Sequence, residues 1–289
     1  MKFGVSSMTA PLRAVAIRAP GPSLFNADRK LWHYGERFDP SLVADEHARF
    51  ADYLAHCGVE ICWMTDDDLG IADAIFTYDA SLVTPAGAVL MNPGKPLRRG
   101  EERLHEVFYQ SNQIPVIGRI EGVAHAEAGD TLWLNDEILA VGQGGRTNGE
   151  GVQQLKAILE PHGIAVLPFD MPDYGDEEAC LHLMSLVSLV DKKTALICWE
   201  LMPPALYDLM VKMGFSFIEA PFDEFAETGT LSLNVLAIAP SKCVMVNCAP
   251  KTAAAVTAAG VDLHLINATA LCIGCEGGPT CLTRPLLRA

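Results

Sequence analysis

Two hydrophobic patterns alternate along the chain. Short apolar runs rich in Val, Ile and Leu come in pairs around tight polar turns, and stretches with helical spacing separate the pairs. Leu12-Arg-Ala-Val-Ala-Ile-Arg18 predicts a first strand. Hairpins are predicted at 75–83 with 87–91 across Thr84-Pro-Ala, and at 131–134 with 138–141 across Asn135-Asp-Glu. Two more are predicted at 182–190 with 194–198 across Asp191-Lys-Lys, and at 234–239 with 243–247 across Pro240-Ser-Lys. Helices are predicted around 41–56, 100–112, 149–162, 203–213 and 250–259. Each leads into a further apolar strand, at 59–63, 115–119, 164–167, 215–218 and 261–265. Gly58, Gly163, Gly214 and Gly260 follow four of the helices, where a left-handed C-cap favours glycine.

The repeating unit is strand–strand–helix–strand, recurring about five times at roughly 50–60 residues. Such units cannot bury their apolar faces alone, so they should share one core. The first unit has a single strand before its helix, and Cys281-Leu-Thr-Arg-Pro-Leu-Leu287 could supply the missing partner and close a ring. The expectation is an α/β fold with residues 1–289 as one domain, since no linker with a composition shift interrupts the chain. One loop stands out. Residues 19–40 carry Pro20, Gly21, Pro22, Pro40 and the aromatics Phe25, Trp32, Tyr34 and Phe38. A loop of that length is either a lid over a site or a packed surface loop.

Composition narrows the class. Half of the 289 residues are hydrophobic and a fifth are charged, an ordinary globular balance. The formal net charge is −15, which argues against nucleic acid and anionic membranes and suits a cationic small molecule. The sequence opens without a basic-then-apolar leader, and no apolar run approaches the length of a membrane span. Nine cysteines, an odd number without a compact framework, read as reduced thiols in a cytoplasmic protein. Cys272-x-x-Cys275 has zinc-knuckle spacing, with Cys243 and Cys248 upstream. The second pair is too widely spaced for a good zinc site, so neither metal nor cofactor is expected.

The polar residues that remain fall at the edges of the predicted hairpins. Asp73-Ala-Ile-Phe-Thr-Tyr-Asp79 enters the second unit, Glu127-Ala-Gly-Asp130 precedes the third hairpin and Gly142-Gln-Gly-Gly-Arg-Thr-Asn148 leaves it. Leu181-His-Leu183 begins the fourth, and Gly277-Gly-Pro-Thr-Cys281 ends the chain's last loop. A cysteine on a glycine-rich constrained turn is a candidate nucleophile or a buried structural thiol. His182 between leucines is a core histidine or a catalyst, and Asp73, Asp79 and Glu127 are turn acids or site acids. Gly142-x-Gly144 lacks the Lys-Ser/Thr of a phosphate loop, so Thr147 or Asn148 reads as a helix cap. In a ring of equivalent hairpins, these edges would converge on one axis.

Together and in order, Asp73 with Phe-Thr-Tyr-Asp79, Glu127-x-Gly-Asp130, Gly-Arg146-Thr-Asn148, His182-Leu and Gly-Gly-Pro-Thr-Cys281 resemble the guanidine-modifying superfamily. That superfamily contains dimethylarginine dimethylaminohydrolases, arginine deiminases and amidinotransferases, and the similarity runs from about residue 12 onward. The resemblance implies a five-bladed ββαβ propeller, the pentein fold, with pseudo-fivefold symmetry. It implies Cys281 as nucleophile, His182 as general acid and base, and Glu127 as the carboxylate beside that histidine. Asp73, Asp79 and Asp130 would hold the guanidinium or the rest of the substrate. Arg146 and one of Arg98 or Arg99 would bind a substrate carboxylate. The implied reaction is hydrolysis of a guanidino C–N bond through a covalent thiouronium, giving a ureido product and an amine.

Deiminases and amidinotransferases of this kind commonly carry Asp two residues after the histidine. Met184 stands there in this chain, which favours a dimethylarginine-type substrate over free arginine or transfer to an amine. A non-catalytic ribosome-binding protein of the same fold would not need Cys281, His182 and Glu127 together. The implied partner is therefore a cationic guanidino small molecule, in a chain with room for homo-oligomerisation.

Overall fold

The computed structural model describes residues 1–174 and 181–289. It contains five three-stranded sheets, one per repeat. In chain order the later four are Ser81–Thr84, Gly87–Leu90 and Val116–Arg119; Thr131–Trp133, Ile138–Gln143 and Ala165–Asp170; Val187–Asp191, Thr194–Ile197 and Ser216–Glu219; and Leu236–Ala239, Lys242–Val246 and Asp262–Ile266. In each, the first two strands are antiparallel and the third pairs parallel to the second. A parallel third strand needs a crossover, and a helix supplies it every time.

The first sheet closes the ring. Leu12–Ile17 pairs antiparallel with the C-terminal strand Arg284–Arg288 and parallel with Glu60–Trp63. The partner missing from the first repeat thus comes from the other end of the chain. The strand begins at Arg284 rather than at Cys281, so the cysteine stays on the turn before it.

The crossover helices follow from their sequences. Val43–His56 buries Val43, His47, Phe50, Ala51 and Leu54, the spacing of one helical face. Gly58, Gly163, Gly214 and Gly260 have φ between 79° and 88°, as the C-cap reading requires. After the helix Glu101–Ser111 the positive-φ position falls to Gln113, at 58°. Asn148 caps Gly149–Leu159 by accepting from the Gly151 amide at 2.8 Å. Among the described residues, no helix is long and apolar enough to cross a membrane.

Three predicted inner strands start later than their hydrophobicity suggested. Residues 72–75, 183–185 and 231–233 form short 3₁₀ turns before strands that begin at Ser81, Val187 and Leu236. Residues 128–130 form another, ahead of Thr131. These turns are buried, so an apolar run there reports burial and not an extended backbone. They matter because they carry the polar residues of the site.

The loop 19–40 is packed and also walls the site. It folds into Pro22–Phe25 and Arg29–Trp32, burying Leu24, Trp32, Tyr34 and Phe38. The Gly35 amide donates to Gly274 O at 2.8 Å, which ties the loop to the cysteine-bearing segment.

Candidate active site

Glu127 sits at the centre of the polar network and is fully buried. Its Oε1 accepts from the Gly94 amide at 2.8 Å, and its Oε2 lies 2.7 Å from His182 Nε2. Arg146 approaches both oxygens at 3.4 Å. Burial alone would push this carboxyl up, but His182, Arg146 and Arg98 outweigh it and hold it well below the usual range. An ionised Glu127 can only accept. His182 Nε2 is therefore the protonated ring nitrogen and Nδ1 the basic one, a tautomer assigned from the network. Gly129 packs under the imidazole: a Cβ there would lie 2.7 Å from His182 Cγ and from Asp79 Oδ1.

Asp130 secures the histidine from behind. Its Oδ1 accepts from the Leu183 amide at 2.9 Å and its Oδ2 from Thr147 Oγ1 at 2.6 Å. Thr147 Oγ1 in turn accepts from the Glu127 amide at 3.2 Å. Burial raises Asp130 to about 6, against the pull of His182, Thr147 and Leu183. Asp130 thus connects the turns that carry Glu127 and His182; it does not line the cavity.

Cys281 lies on the turn that follows Gly277 and Gly278. A Cβ on Gly277 would come within 2.2 Å of the Phe76 ring, and one on Gly278 within 2.4 Å of Asn234 Cγ. The glycines are needed for this close approach. Asn234 donates to the Cys281 sulfur at 3.1 Å and accepts from the Thr280 amide at 3.0 Å. It belongs to the lead-in of the fifth sheet, the place that His182 occupies in the fourth.

Cys281, His182 and Asp79 line two adjoining cavities. The smaller, about 30 Å³, is completed by Met184, Ser185, Thr230 and Asn234. The larger, about 80 Å³, is completed by Asp73, Lys95, Arg98, Arg146, Trp32 and Glu276 among others. Asp73 accepts from Tyr34 OH at 2.8 Å and from Lys95 Nζ at 3.1 Å. Lys95 Nζ also lies 5.8 Å over the Trp32 ring. Burial raises the Glu276 carboxyl above its ordinary range.

Neither expected arginine of the 98–99 pair is disposed to receive a carboxylate. Arg98 is buried and turned inward: NH1 meets Asp79 Oδ2 at 2.6 Å, while Nε and NH2 each meet Glu101 at 2.8 Å and NH2 also donates to Phe76 O. Burial works against its charge, but Glu101 and Asp79 dominate and keep it protonated. Arg99 is exposed and outside the cavity lining. Lys95 reaches the cavity instead.

Among the described residues, the one set of candidate metal ligands that converges is Asp79, Glu127 and His182, with ligating atoms within 4.8 Å. Arg98 and Arg146 already place positive charge on those carboxylates, which suits a ligand held by hydrogen bonds better than a divalent ion. Cys272 and Cys275 are buried, and burial raises both thiols, so neither is primed as a thiolate ligand.

Sequence reasoning passed over Asn234, Lys95, Glu101 and Glu276, and named Trp32 and Tyr34 only as aromatics of the loop 19–40. Only Asn234 carried a readable signal, because it stands just before an inner strand as the other site residues do. Of the rest, Trp32, Lys95 and Glu276 line the cavity, whereas Tyr34 and Glu101 act through Asp73 and Arg98.

Known proteins share these features. The family profile for arginine deiminase matches residues 71–213 and 202–288. An N(G),N(G)-dimethylarginine dimethylaminohydrolase of Pseudomonas aeruginosa is 28% identical over 204 residues, 70% of this chain and 75% of that protein. One of Streptomyces coelicolor is 28% identical over 284 residues, 94% of this chain and 96% of that protein. A mutant Pseudomonas aeruginosa enzyme of that kind, solved in complex with citrulline, superposes with a TM-score of 0.76 at 23% identity. The superposition covers 94% of this chain and 98% of that one. With its five-bladed ring and a profile match over most of its length, the chain belongs to the arginine deiminase family of the guanidine-modifying superfamily, close to the dimethylarginine dimethylaminohydrolases.

Proposed function

We propose that the protein is a cysteine hydrolase that cleaves a C–N bond of a dimethylarginine-type guanidino substrate. The observation that carries this reading is the Glu127–His182 pair, whose histidine lines a cavity shared with Cys281 and walled by Asp73 and Asp79. A guanidinium is a weak electrophile because its charge is delocalised. The site must therefore hold it in place and offer a strong nucleophile.

Asp79 accepts one face of the guanidinium while Arg98 and the Gly129 amide keep its carboxylate fixed. The Cys281 thiol passes its proton to His182 Nδ1 as the sulfur adds to the central carbon. His182, protonated and steadied by Glu127, delivers its Nδ1 proton to the departing amine. Water then adds to the S-alkylthiouronium as His182 takes a proton back, and breakage of the C–S bond frees the ureido product. In the small cavity beside Cys281, the side lined by Met184, Ser185, Thr230 and Asn234 is uncharged and suits N-methyl groups, which favours this substrate over free arginine. The side-by-side charges of Asp73 and Lys95 suit the ammonium and carboxylate of an amino-acid head, with Arg146 next to them.

The reading takes residues 1–289 as one enzyme domain, which ring closure by the terminal strands supports. It places the enzyme in the cytoplasm. Cys57, Cys62, Cys198, Cys243, Cys248, Cys272 and Cys275 are free thiols, and Cys180 lies outside the described residues. No nucleic acid, membrane or cofactor enters the proposed reaction.

The test is a panel of dimethylarginine, arginine and agmatine, scored for ureido product and released amine, with Cys281→Ala as control. Dimethylarginine should give citrulline and dimethylamine, and Cys281→Ala should fold and be inactive. Acid quenching followed by mass analysis should find the whole ureido-amino-acid precursor on Cys281. A bare amidino adduct would make the enzyme an amidinotransferase, and ammonia from arginine alone would make it a deiminase.

A further inference from the structure

A third cavity lies on the axis of the ring, and the proposed reaction does not use it. Each sheet contributes to its wall through the inner strand or its lead-in: Tyr78, Trp133, Leu189, Leu236 and Arg284 line it. Its volume is about 20 Å³, enough for one or two water-sized spheres.

Its charges are unbalanced. Arg284 and Arg288 both line the cavity and are 1% and 9% exposed. Arg284 NH1 donates to Tyr78 O at 2.8 Å and Ser81 O at 2.6 Å, and its guanidinium lies 4.1 Å over the Tyr78 ring. Arg288 donates to Ala10 O at 2.7 Å and Ala237 O at 2.9 Å. All these acceptors are carbonyls; among the described residues no carboxylate pairs with either arginine. Tyr78 does not supply the missing negative charge, since burial pushes its phenol up in spite of Arg284. Burial, with Arg284 adding to it, brings Arg288 down to about 10. Two adjacent buried cations without an anion are costly.

Three of the buried polar atoms without a partner lie in the same place. Trp133 Nε1, Arg284 Nε and Thr280 Oγ1 are buried without a partner, and all three residues line this cavity. The first two are donors only. A water molecule would need acceptors for its own hydrogens, whereas a small anion accepts from every side. We propose that the axial cavity binds a small monovalent anion of the halide class, held by Trp133, Thr280 and Arg284, with Arg288 supplying the second positive charge. Thr280 precedes Cys281 and Tyr78 precedes Asp79, so the bound ion braces the backs of both active-site turns.

The experiment uses the whole chain, exchanged into gluconate buffer and titrated with chloride or bromide at constant ionic strength. Because an ion that binds only the folded state stabilises it by mass action, Tm should rise and saturate with either halide. Crystals grown in bromide should show one anomalous peak in the axial cavity. Trp133→Phe keeps a ring and removes one donor, and should weaken the apparent halide affinity about tenfold. A Tm indifferent to halide, or axial density in bromide crystals with no anomalous signal, would mean water and overturn the proposal. So would a folded Trp133→Phe variant that titrates like the parent. The bromide experiment decides the matter even if that variant does not fold.

Discussion

At the scale of single residues, the site is organised by groups that touch Cys281 and by groups that hold those in place. Asn234 does both, through the Cys281 sulfur and the Thr280 amide. A hydrogen bond to a charged group contributes about 1.5–3 kcal/mol, so Asn234→Ala should lower kcat by at least roughly tenfold. KM should change little, because the guanidinium is held elsewhere; steady-state kinetics would show the split. Lys95 is the residue to test for recognition of the head group. Lys95→Met should reduce kcat/KM for dimethylarginine by about tenfold or more. A guanidino substrate without the carboxylate should be nearly unaffected, and equal losses on both would remove Lys95 from the carboxylate subsite.

At the scale of elements, the glycines divide into two kinds. Gly163 has φ of 79° and open space around its Cβ position, so only backbone conformation opposes a side chain there. Gly278 is confined by Asn234. Gly163→Ala should therefore cost about 1–2 kcal/mol of stability with normal activity. Gly278→Ala should cost about 1–3 kcal/mol and also lose activity, because the Asn234 amide must move off the sulfur. Denaturant titration and kinetics on the pair would separate the two effects. The same scale explains the late-starting inner strands: the 3₁₀ turns before them are apolar in sequence because they are buried, yet they bend to aim Asp73 and His182 at the axis.

At the scale of the whole molecule, burial sets the response to acid. His47 is lowered to about 4 by burial alone, and His105 to about 3 by burial with help from Arg284, Arg18 and Arg98. Unfolded histidine titrates near 6.5. Between about 6.5 and 4 the unfolded chain takes up protons that the fold refuses, so stability falls as pH falls. Asp130 acts in the opposite sense, since its raised folded value makes stability fall as pH rises from about 4 to about 6. Glu101, raised to about 8 by burial in spite of Arg98, acts in the same sense as Asp130, so the two acids offset the two histidines near pH 5. His47→Gln should shift the stability–pH slope in that window by about one proton, measured from denaturant midpoints. An unchanged slope would mean that His47 already protonates in the folded protein.

Periodicity within the sequence determined the repeat, the crossover helices and the closure of the ring, because hydrophobic spacing and C-cap glycines are local signals. It also marked Cys281, His182, Glu127, Asp73 and Asp79, since a repeat places the same kind of residue at the same edge of each unit. Only the tertiary structure decided which cation faces the cavity. Arg98, Arg99 and Lys95 stand within five residues of one another, and nothing local tells them apart. Buried Asp79 and Glu101 draw Arg98 inward, the outward register leaves Arg99 exposed, and Asp73 from a different turn brings Lys95 to the cavity. Asn234 on Cys281 and the two unpaired arginines on the axis have the same origin: each depends on contacts between residues far apart in the chain.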